Sequence, residues 1–376
     1  MRILYLSDNV SDHNRRFLFE LAASGHEVHF LDITQQVPAK EWLPTGVQRV
    51  ELRQSIRRDA EPSQFAELQY EFQSLLKQLR PDVVHAGPVH TCGYVAGLSG
   101  FHPLVVMSWG SDILVDADRD AERRHATTVA LNAADGFFCD CQTVRAAAQR
   151  YAAISRERIV QFPWGIKPGS FSPHGSIESK EKLGFASDTF VFISTRSWEP
   201  LYDIEVLLRA FHGAYQQNQR LRLLLLGGGS MANRVRSLIA ECGLDRVVIT
   251  PGMIAGKDMP RWFRTANAYL SCAKSDGTSV SLLEAMATGL PALATDIPSN
   301  REWIAEGKNG WLARGGSSEE FSEKLLVAAS VSQRDLATIS ERNQQIVAER
   351  ADWDKNFPKL LDFYECLVNG AMAVKA

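Results

Sequence analysis

The chain has 376 residues, of which 45% are hydrophobic and 23% are charged, and its formal net charge is −3. This length predicts two domains of ordinary size, and the charge balance offers no electrostatic basis for binding nucleic acid or an anionic membrane. No apolar run approaches the about 18 residues that span a membrane, and the apolar start of the chain is too short for a signal peptide. The cysteines show no paired metal spacing, so we expect reduced packing residues in a cytoplasmic protein: Cys92, Cys139, Cys141, Cys242, Cys272 and Cys366.

Strand-like and helix-like runs alternate through the first part of the chain. The predicted strands cover residues 3–6, 27–31, 82–85, 104–108, 136–139 and 159–162. The predicted helices cover residues 15–24, 64–79, 91–98, 120–134 and 143–152. This alternation predicts an open parallel sheet with helices on both faces, and ligands at the carboxyl ends of its strands.

A stretch rich in proline and glycine, residues 162–175, separates the first part from a second alternating part. There the predicted strands cover residues 190–194, 221–226, 247–250, 268–270 and 292–295. The predicted helices cover residues 204–213, 231–241, 260–266, 280–287 and 300–305. We therefore predict two Rossmann-like, doubly wound α/β domains, residues 1–165 and 166–350.

The last segment, residues 351–376, has apolar residues at three- and four-residue spacing, which predicts an amphipathic helix despite Pro358 near its start. Two interpretations are equally good from the sequence. The helix packs on its own domain, or it crosses back to the first one.

A helix start in the second domain carries the clearest pattern of polar residues. Asp276 and Gly277 fall in a predicted loop, Thr278 or Ser279 can cap the following helix, and Gly289 ends it. The amides of residues 277–279 are expected to point at an anion, with help from the positive end of the helix dipole. A phosphate is the ligand that such a turn favours.

Two acids of this segment, Asp276 and Glu284, lie at different distances from the helix start. Gly277, Ser281 and Glu284 share one helix face, because seven residues make about two turns. Glu284 lies too far along the helix to meet the same phosphate, so we expect it to bind ribose hydroxyls. Asp276, at the mouth, is expected to bind hydroxyls of the sugar that the diphosphate carries.

The spacing of acid, seven residues, acid from Asp276 to Glu284 resembles the signature of the retaining glycosyltransferases of the large "glycosyl transferases group 1" family. The resemblance implies the GT-B fold, with two facing Rossmann-like domains, an interdomain cleft and a nucleoside-diphosphate sugar as donor. The family usually has glutamate first. Asp276 is one methylene shorter, so the resemblance implies a displaced or water-mediated sugar contact.

Arg196 follows the first predicted strand of the second domain, where such sheets bind ligands. A guanidinium keeps its charge and forms bidentate bonds to phosphate oxygens, so we expect Arg196 to bind the diphosphate. An ion pair at a domain edge is the alternative interpretation. The resembled family has a lysine about five residues on, where this chain has Leu201 and Tyr202, so another cation or the Tyr202 hydroxyl must replace it.

Two further segments of the second domain resemble donor-binding parts of the family. Gly228 lies among three glycines after a buried strand, which either lets the backbone approach a nucleotide or simply turns the chain. Met253 and Ile254 occupy the loop that binds the nucleobase in the family. The base itself does not follow from the sequence.

In the first domain the resemblance implies four residues on the side of the acceptor and the sugar. Asn14 lies near a helix start where many relatives have glycines that approach the donor phosphates, so its expected ligand is those phosphates or the acceptor. His90 follows a predicted strand, with a structural role as an equally good interpretation. Trp109 replaces a histidine of the family and is expected to stack on a sugar face. Asp112 is available to form hydrogen bonds or to orient a neighbour.

An acidic run at residues 116–120 superficially resembles the metal motif of glycosyltransferases with one Rossmann-like domain. It precedes a predicted helix, where acids at the N-terminus are favoured in any case. We therefore expect no metal and no other cofactor.

Together with these residues, the resemblance implies a retaining, metal-independent glycosyltransferase with Arg196, Asp276 and Glu284 as catalytic residues. Its partners would be a nucleotide-sugar donor and a hydroxyl acceptor, which is a glycan, a glycolipid or a small molecule. Two alternatives stay open: a sugar-nucleotide epimerase on the same fold, and a sugar-nucleotide binding subunit that has lost catalysis.

Overall fold

The computed structural model describes residues 1–35, 42–57 and 60–370. The chain forms two compact units, one made of residues 1–162 and 355–376 and the other of residues 163–354. No helix in the described ranges is long and apolar enough to cross a membrane. Residues 371–376, at the end of the predicted C-terminal segment, lie outside the described ranges.

The first unit contains a seven-stranded parallel sheet in the order β3-β2-β1-β4-β5-β6-β7. Its strands are β1 (Arg2–Ser7), β2 (Glu27–Asp32), β3 (Val47–Val50), β4 (Val83–Ala86), β5 (Leu104–Met107), β6 (Gly136–Cys139) and β7 (Ile159–Gln161). The order reverses at β1, which places the ends of β1 and β4 at a topological switch point. The edge strand β3 is the only one of these that the sequence analysis did not predict.

Helices cover the faces of this sheet. They are α1 (Asp12–Ala23), α2 (Pro62–Glu67), α3 (Gln69–Leu79), α4 (Tyr94–Leu98), α5 (Ser111–Leu114), α6 (Ala121–Ala133) and α7 (Gln142–Ala148). The long helix predicted at 64–79 is divided into α2 and α3 near Leu68. The helix predicted at 91–98 begins as a π-helical turn, Val89–Gly93, and continues as α4.

The second unit contains a six-stranded parallel sheet in the order β10-β9-β8-β11-β12-β13. Its strands are β8 (Phe190–Ser194), β9 (Leu221–Leu225), β10 (Val248–Ile249), β11 (Ala268–Ser271), β12 (Ala292–Thr295) and β13 (Gly310–Ala313). Its helices are α8 (Ile204–Gln217), α9 (Ala232–Glu241), α10 (Met259–Thr265), α11 (Val280–Ala287), α12 (Pro298–Arg301), α13 (Ser318–Ser330) and α14 (Gln333–Arg350). The order reverses between β8 and β11, so the loops after these two strands meet at the switch point.

Two apolar clusters fill the second unit, one on each face of its sheet. One is built around β8, β9 and α8 and includes Phe211 and Leu223. The other lies beneath α10 and α11 and includes Phe263 and Leu283. Both faces of a parallel sheet are covered in this way because the crossover helices lie on both of them.

The last helices are α15 (Trp353–Asn356) and α16 (Pro358–Val368). Helix α16 belongs to the first unit and packs beside β6, where a Cβ atom added to Gly136 would overlap the Phe363 ring. On β4, which β5 separates from β6 in the sheet, the buried His85 ring forms a hydrogen bond with the hydroxyl of Tyr364. Tyr5 stacks on the same imidazole at a centroid distance of 5.0 Å, so α16 is attached to the sheet by a buried aromatic cluster.

Candidate functional site

The turn between β11 and α11 forms the core of the candidate site. Ser279 caps α11 by accepting a hydrogen bond from the Leu282 amide at 3.3 Å, and Thr278 and Ser279 are both buried. The helix begins at Val280, as the capping pattern predicts, and ends before Gly289, whose φ of 84° favours glycine. The helix start therefore faces the switch point of the sheet with its cap formed.

Arg196 reaches this turn from the loop after β8. Its Nη1 donates to the hydroxyls of Ser279, at 2.7 Å, and Ser281, at 3.2 Å. Its Nη2 lies 2.8 Å from Oδ2 of Asp276. The Tyr202 ring lies 4.1 Å from the guanidinium carbon, a cation–π contact. The structure therefore brings the predicted residues Arg196, Asp276, Ser279 and Ser281 together.

Both side chains of the Arg196–Asp276 ion pair are largely buried. The side chain of Arg196 is 10% exposed and that of Asp276 is 19% exposed. Burial raises the pKa of Asp276, while the Arg196 charge and the Gly277 amide, which bonds to the carboxylate, act in the opposite direction. Burial by itself would lower the pKa of Arg196, but Asp276 and then Tyr269 and Tyr202 raise it overall, so the guanidinium stays charged.

Tyr269 is a member of the site that the sequence analysis missed. It lies on β11, and its hydroxyl is 2.8 Å from Oγ of Ser281. The side chain is buried, and burial raises the pKa of its phenol. A phenol hydroxyl between the apolar residues Ala268 and Leu270 is the signal that points to it, because a buried hydroxyl requires a polar partner.

Lys274 is a cation of this region that the sequence analysis also missed. Its amide donates to the Leu201 carbonyl at 2.9 Å, so it adjoins the segment where the resembled family has its lysine. Its Nζ lies 3.5 Å from Oδ1 of Asp203. Only two residues separate Lys274 from Gly277 in the sequence, and this closeness to the helix start is the signal that could have identified it.

The three glycines after β9 lie against the Arg196 loop. The Gly228 carbonyl accepts a hydrogen bond from the Trp198 amide at 2.8 Å. A Cβ atom at Gly227, where φ is 121°, would lie 2.9 Å from the Arg196 carbonyl. Glycine is therefore required at Gly227 for close packing of two backbones, a role that the sequence analysis did not consider. The predicted contact of Gly228 with a nucleotide stays a prediction.

The predicted base loop and the second acid have distinct surroundings. Met253 is 79% exposed, and its Cγ lies 3.9 Å from a Cβ built on Gly228. Ile254 is half-buried and packs on the apolar cluster beneath α10 and α11. Glu284 is half-buried on α11, three residues after Ser281 and on the same side of the helix. Their ligand contacts stay predictions.

In the first unit, Asn14 is fully buried and holds the turn between β1 and α1. Its Nδ2 donates to the Ser7 hydroxyl at 2.9 Å and to the Asn9 carbonyl at 2.8 Å. Its Oδ1 accepts from the Tyr5 hydroxyl at 2.9 Å. The carboxamide therefore has a structural role in the chain itself, and its predicted contact with a ligand stays a prediction.

Asp112 joins the loops that follow β4 and β5. It accepts hydrogen bonds from the Val89 amide at 2.8 Å, the Ser108 hydroxyl at 2.7 Å and the Trp109 amide at 3.0 Å. Burial raises its pKa to about 6, against these hydrogen bonds. Asp112 therefore fixes the Trp109 backbone, and its predicted role on the side of the acceptor and the sugar stays a prediction.

His90 and Trp109 lie near the carboxyl ends of β4 and β5. Burial lowers the pKa of His90, while Asp116 acts in the opposite direction. The half-buried Trp109 ring meets His13 edge-on at a centroid distance of 6.4 Å. Their predicted contacts with a sugar or an acceptor stay predictions.

Acidic residues of the run at 116–120 form a helix cap and an ion pair within the first unit. Asp120 caps α6 by accepting from the Arg123 amide at 2.8 Å, and Asp118 pairs with Arg124 at 2.7 Å. Within residues 1–35, 42–57 and 60–370, no group of three or more histidine, cysteine, aspartate or glutamate side chains could hold a metal ion.

Comparison with known proteins gives matches over most of the chain. Residues 176–362 match the family model described as "Glycosyl transferases group 1", and residues 2–141 match the model described as "Glycosyl transferase 4-like". The alpha-monoglucosyldiacylglycerol synthase of Streptococcus pneumoniae is 25% identical over 228 residues, which are 58% of this chain and 50% of that protein. The chain thus spans about half the length of this curated relative.

Two of the solved structures that match this chain illustrate the shared fold. Sucrose-phosphate synthase from Thermosynechococcus elongatus superposes with a TM-score of 0.82 at 16% identity, over 98% of this chain and 99% of that chain. Anabaena HepE in complex with UDP and glucose gives a TM-score of 0.77 at 18% identity, over 98% and 100% of the two chains. These likenesses support two Rossmann-like domains of the GT-B type.

Proposed function

Because the chain belongs to the glycosyl transferases group 1 family, we propose that it is a retaining glycosyltransferase that uses a nucleoside-diphosphate sugar. The acceptor we propose is a hydroxyl group of a glycan, a glycolipid or a small molecule. One observation carries the proposal: a buried guanidinium, Arg196, meets the capped start of α11 at the switch point of the second sheet. A guanidinium beside a helix start at the switch point of a parallel sheet suits the diphosphate of a nucleotide sugar.

The chemistry follows from the charge that develops in the reaction. As the bond between the anomeric carbon and the diphosphate breaks, negative charge grows on the leaving oxygens. Arg196 and the amides at the start of α11 are fixed in place before the reaction, so they stabilise this charge without reorganising. Protein groups supply this stabilisation, so we propose that no metal ion is needed. Glu284 would hold the ribose hydroxyls.

We propose that transfer retains the anomeric configuration, as the family resemblance implies. The acceptor oxygen bonds to the anomeric carbon on the face that the diphosphate leaves. The acceptor proton passes to the leaving phosphate oxygen, so the products are a glycoside and a nucleoside diphosphate. The proton NMR coupling of the anomeric hydrogen in the product measures the configuration, and an inverted product would contradict retention.

A melting-temperature screen with UDP-, GDP-, ADP- and dTDP-sugars tests the donor site. A ligand at 100 times its Kd stabilises a protein by about 2.7 kcal/mol, which is readily measured. The stabilising donor is then incubated with candidate hydroxyl acceptors, and also alone. A glycoside product supports the proposal, whereas an epimer formed without acceptor indicates an epimerase. Tight binding with neither transfer nor hydrolysis indicates a binding subunit.

A further inference from the structure

The carboxylate of Asp276 interacts with the same hydrogen-bond donors that would bind a diphosphate. It lies 2.8 Å from Nη2 of Arg196, and the adjacent Gly277 amide also stabilises its charge. A guanidinium and a backbone amide at a helix start are the donors that suit a phosphate oxygen. In this structure the anion they hold is a side chain of the chain itself.

The cation does not depend on this carboxylate for its position. Nη1 of Arg196 is held by the Ser279 and Ser281 hydroxyls, and the Tyr202 ring stacks on the guanidinium at 4.1 Å. Ser279 is fixed in turn as the cap of α11, and Ser281 by the Tyr269 hydroxyl at 2.8 Å. Arg196 can therefore stay in place when its anion is exchanged.

Any second anion that binds Arg196 must compete with the Asp276 carboxylate for it. One positive and one negative charge cancel, so an incoming diphosphate meets a neutral pair until the Asp276 carboxylate moves away. The Asp276 side chain is only 19% exposed, so water cannot fully solvate its carboxylate. A carboxylate that loses Arg196 as its partner therefore costs free energy unless new hydrogen bonds form. A sugar beside the diphosphate can supply those bonds through its hydroxyls, whereas a free nucleoside diphosphate cannot.

We propose that Asp276 is a specificity-determining residue: an internal anion on Arg196 that favours the sugar nucleotide over the nucleoside-diphosphate product. The donor displaces the carboxylate and then accepts its hydrogen bonds on the sugar. The product displaces it without compensation, so Asp276 weakens product binding and speeds product release. This inference rests on the proposed function, because it requires a nucleoside-diphosphate sugar at this site.

The test compares wild-type protein with Asp276→Asn, which keeps the shape of the side chain and removes its charge. Isothermal titration measures the affinity for UDP, GDP, ADP and dTDP, for inorganic pyrophosphate, and for the matching UDP-, GDP-, ADP- and dTDP-sugars. We expect Asp276→Asn to bind the preferred nucleoside diphosphate and pyrophosphate at least fivefold more tightly. Its affinity for the sugar nucleotide should rise less or fall, so the preference for donor over product is lost.

Two controls keep the result interpretable. Glu205→Gln removes one negative charge of the same unit, from an ion pair with Arg234 on α8 and α9, and should leave all these affinities unchanged. Asp276→Ser removes the carboxylate in a second way and should repeat the gain in nucleoside-diphosphate affinity.

Two outcomes would overturn the inference and differ from each other. Equal or weaker nucleoside-diphosphate binding by both Asp276 variants, with normal binding by wild-type protein, shows that the carboxylate does not compete, while the proposed function stands. Absence of nucleotide and sugar-nucleotide binding in all four proteins contradicts the proposed function and this inference with it.

Discussion

Arg196 and Asp276 form a buried ion pair in which each charge compensates the other. Removing one partner of such a pair leaves an uncompensated charge, which typically costs about 3–5 kcal/mol, whereas removing both charges costs much less. Arg196 also bonds to Ser279 and Ser281, so its loss would loosen the start of α11 as well. At this scale stability and the proposed catalysis depend on the same side chain.

We expect Arg196→Ala to abolish transfer and to lower the free energy of unfolding of the second unit by about 3 kcal/mol. The double variant with Asp276→Asn should recover at least about 1 kcal/mol of that loss while remaining inactive. Urea denaturation of the four proteins of the cycle, together with a transfer assay, measures both effects. Simple additivity of the two substitutions would contradict a coupled pair.

Glu284 has a different expected effect, because it is half-buried and lies one turn beyond the anion site. Loss of two charge-assisted hydrogen bonds to a ribose would lower kcat/KM by at least about 100-fold. We therefore expect Glu284→Ala to lose transfer and to keep its melting temperature. Glu241→Ala, which removes an exposed glutamate on α9, is the matched control and should keep both. Near wild-type turnover of Glu284→Ala would remove Glu284 from the site.

At the scale of elements, α16 is attached to the first sheet through its buried aromatic side chains. Burial lowers the pKa of His85 to about 3, so the ring is neutral in the folded protein and Nδ1 can accept the hydrogen bond of the Tyr364 hydroxyl. Protonation of His85 would remove that acceptor and place a charge in the apolar layer between β4 and α16.

This burial predicts how stability depends on pH. The unfolded chain binds a proton on His85 below about pH 6.5, and the folded chain binds it only near pH 3. The free energy of unfolding of the first unit should therefore fall as the pH falls from about 6.5 towards 3, by up to about 1.4 kcal/mol per pH unit from this residue.

Urea denaturation at several pH values, compared between wild-type protein and His85→Gln, isolates the contribution of this histidine. The variant should be less stable at pH 7, and the difference from wild type should shrink as the pH falls. A difference that does not change with pH would show that His85 takes up its proton equally in both states.

At the scale of the whole molecule, the proposed chemistry uses charges that the chain itself supplies. We expect transfer activity to be unchanged after dialysis against a chelator such as EDTA, because Arg196 and the helix start stabilise the leaving group. Added Mg²⁺ or Mn²⁺ should give no more than a twofold change. Complete loss of activity that only a divalent ion restores would favour a role for the acidic run at residues 116–120.

The local patterns of the sequence predict much of the architecture. Alternation of strands and helices predicts two parallel sheets, and the cap at Ser279 predicts where α11 begins, because both depend on neighbouring residues. The edge strand β3 was missed because Val47–Val50 is short and two of its residues are exposed. The division between α2 and α3 was missed because apolar spacing continues across it.

Local sequence patterns could not predict the contacts within the candidate site. Arg196 and Ser279 are 83 positions apart, and they meet because β8 and β11 are neighbours in the sheet. The sequence placed an arginine and an acid at strand ends, but not in contact with each other. Nothing local indicates that the Tyr269 hydroxyl supports Ser281, or that Lys274 adjoins Leu201.

By itself, then, the sequence determined the fold class and the helix start at Ser279, since periodicity and capping act within a few residues. The anion at that helix start stays a prediction. Only the tertiary structure decided that Asp276 holds Arg196 in a buried pair, since strand order brings distant loops together. Burial then changes the chemistry of both groups, because a charge removed from water requires a partner.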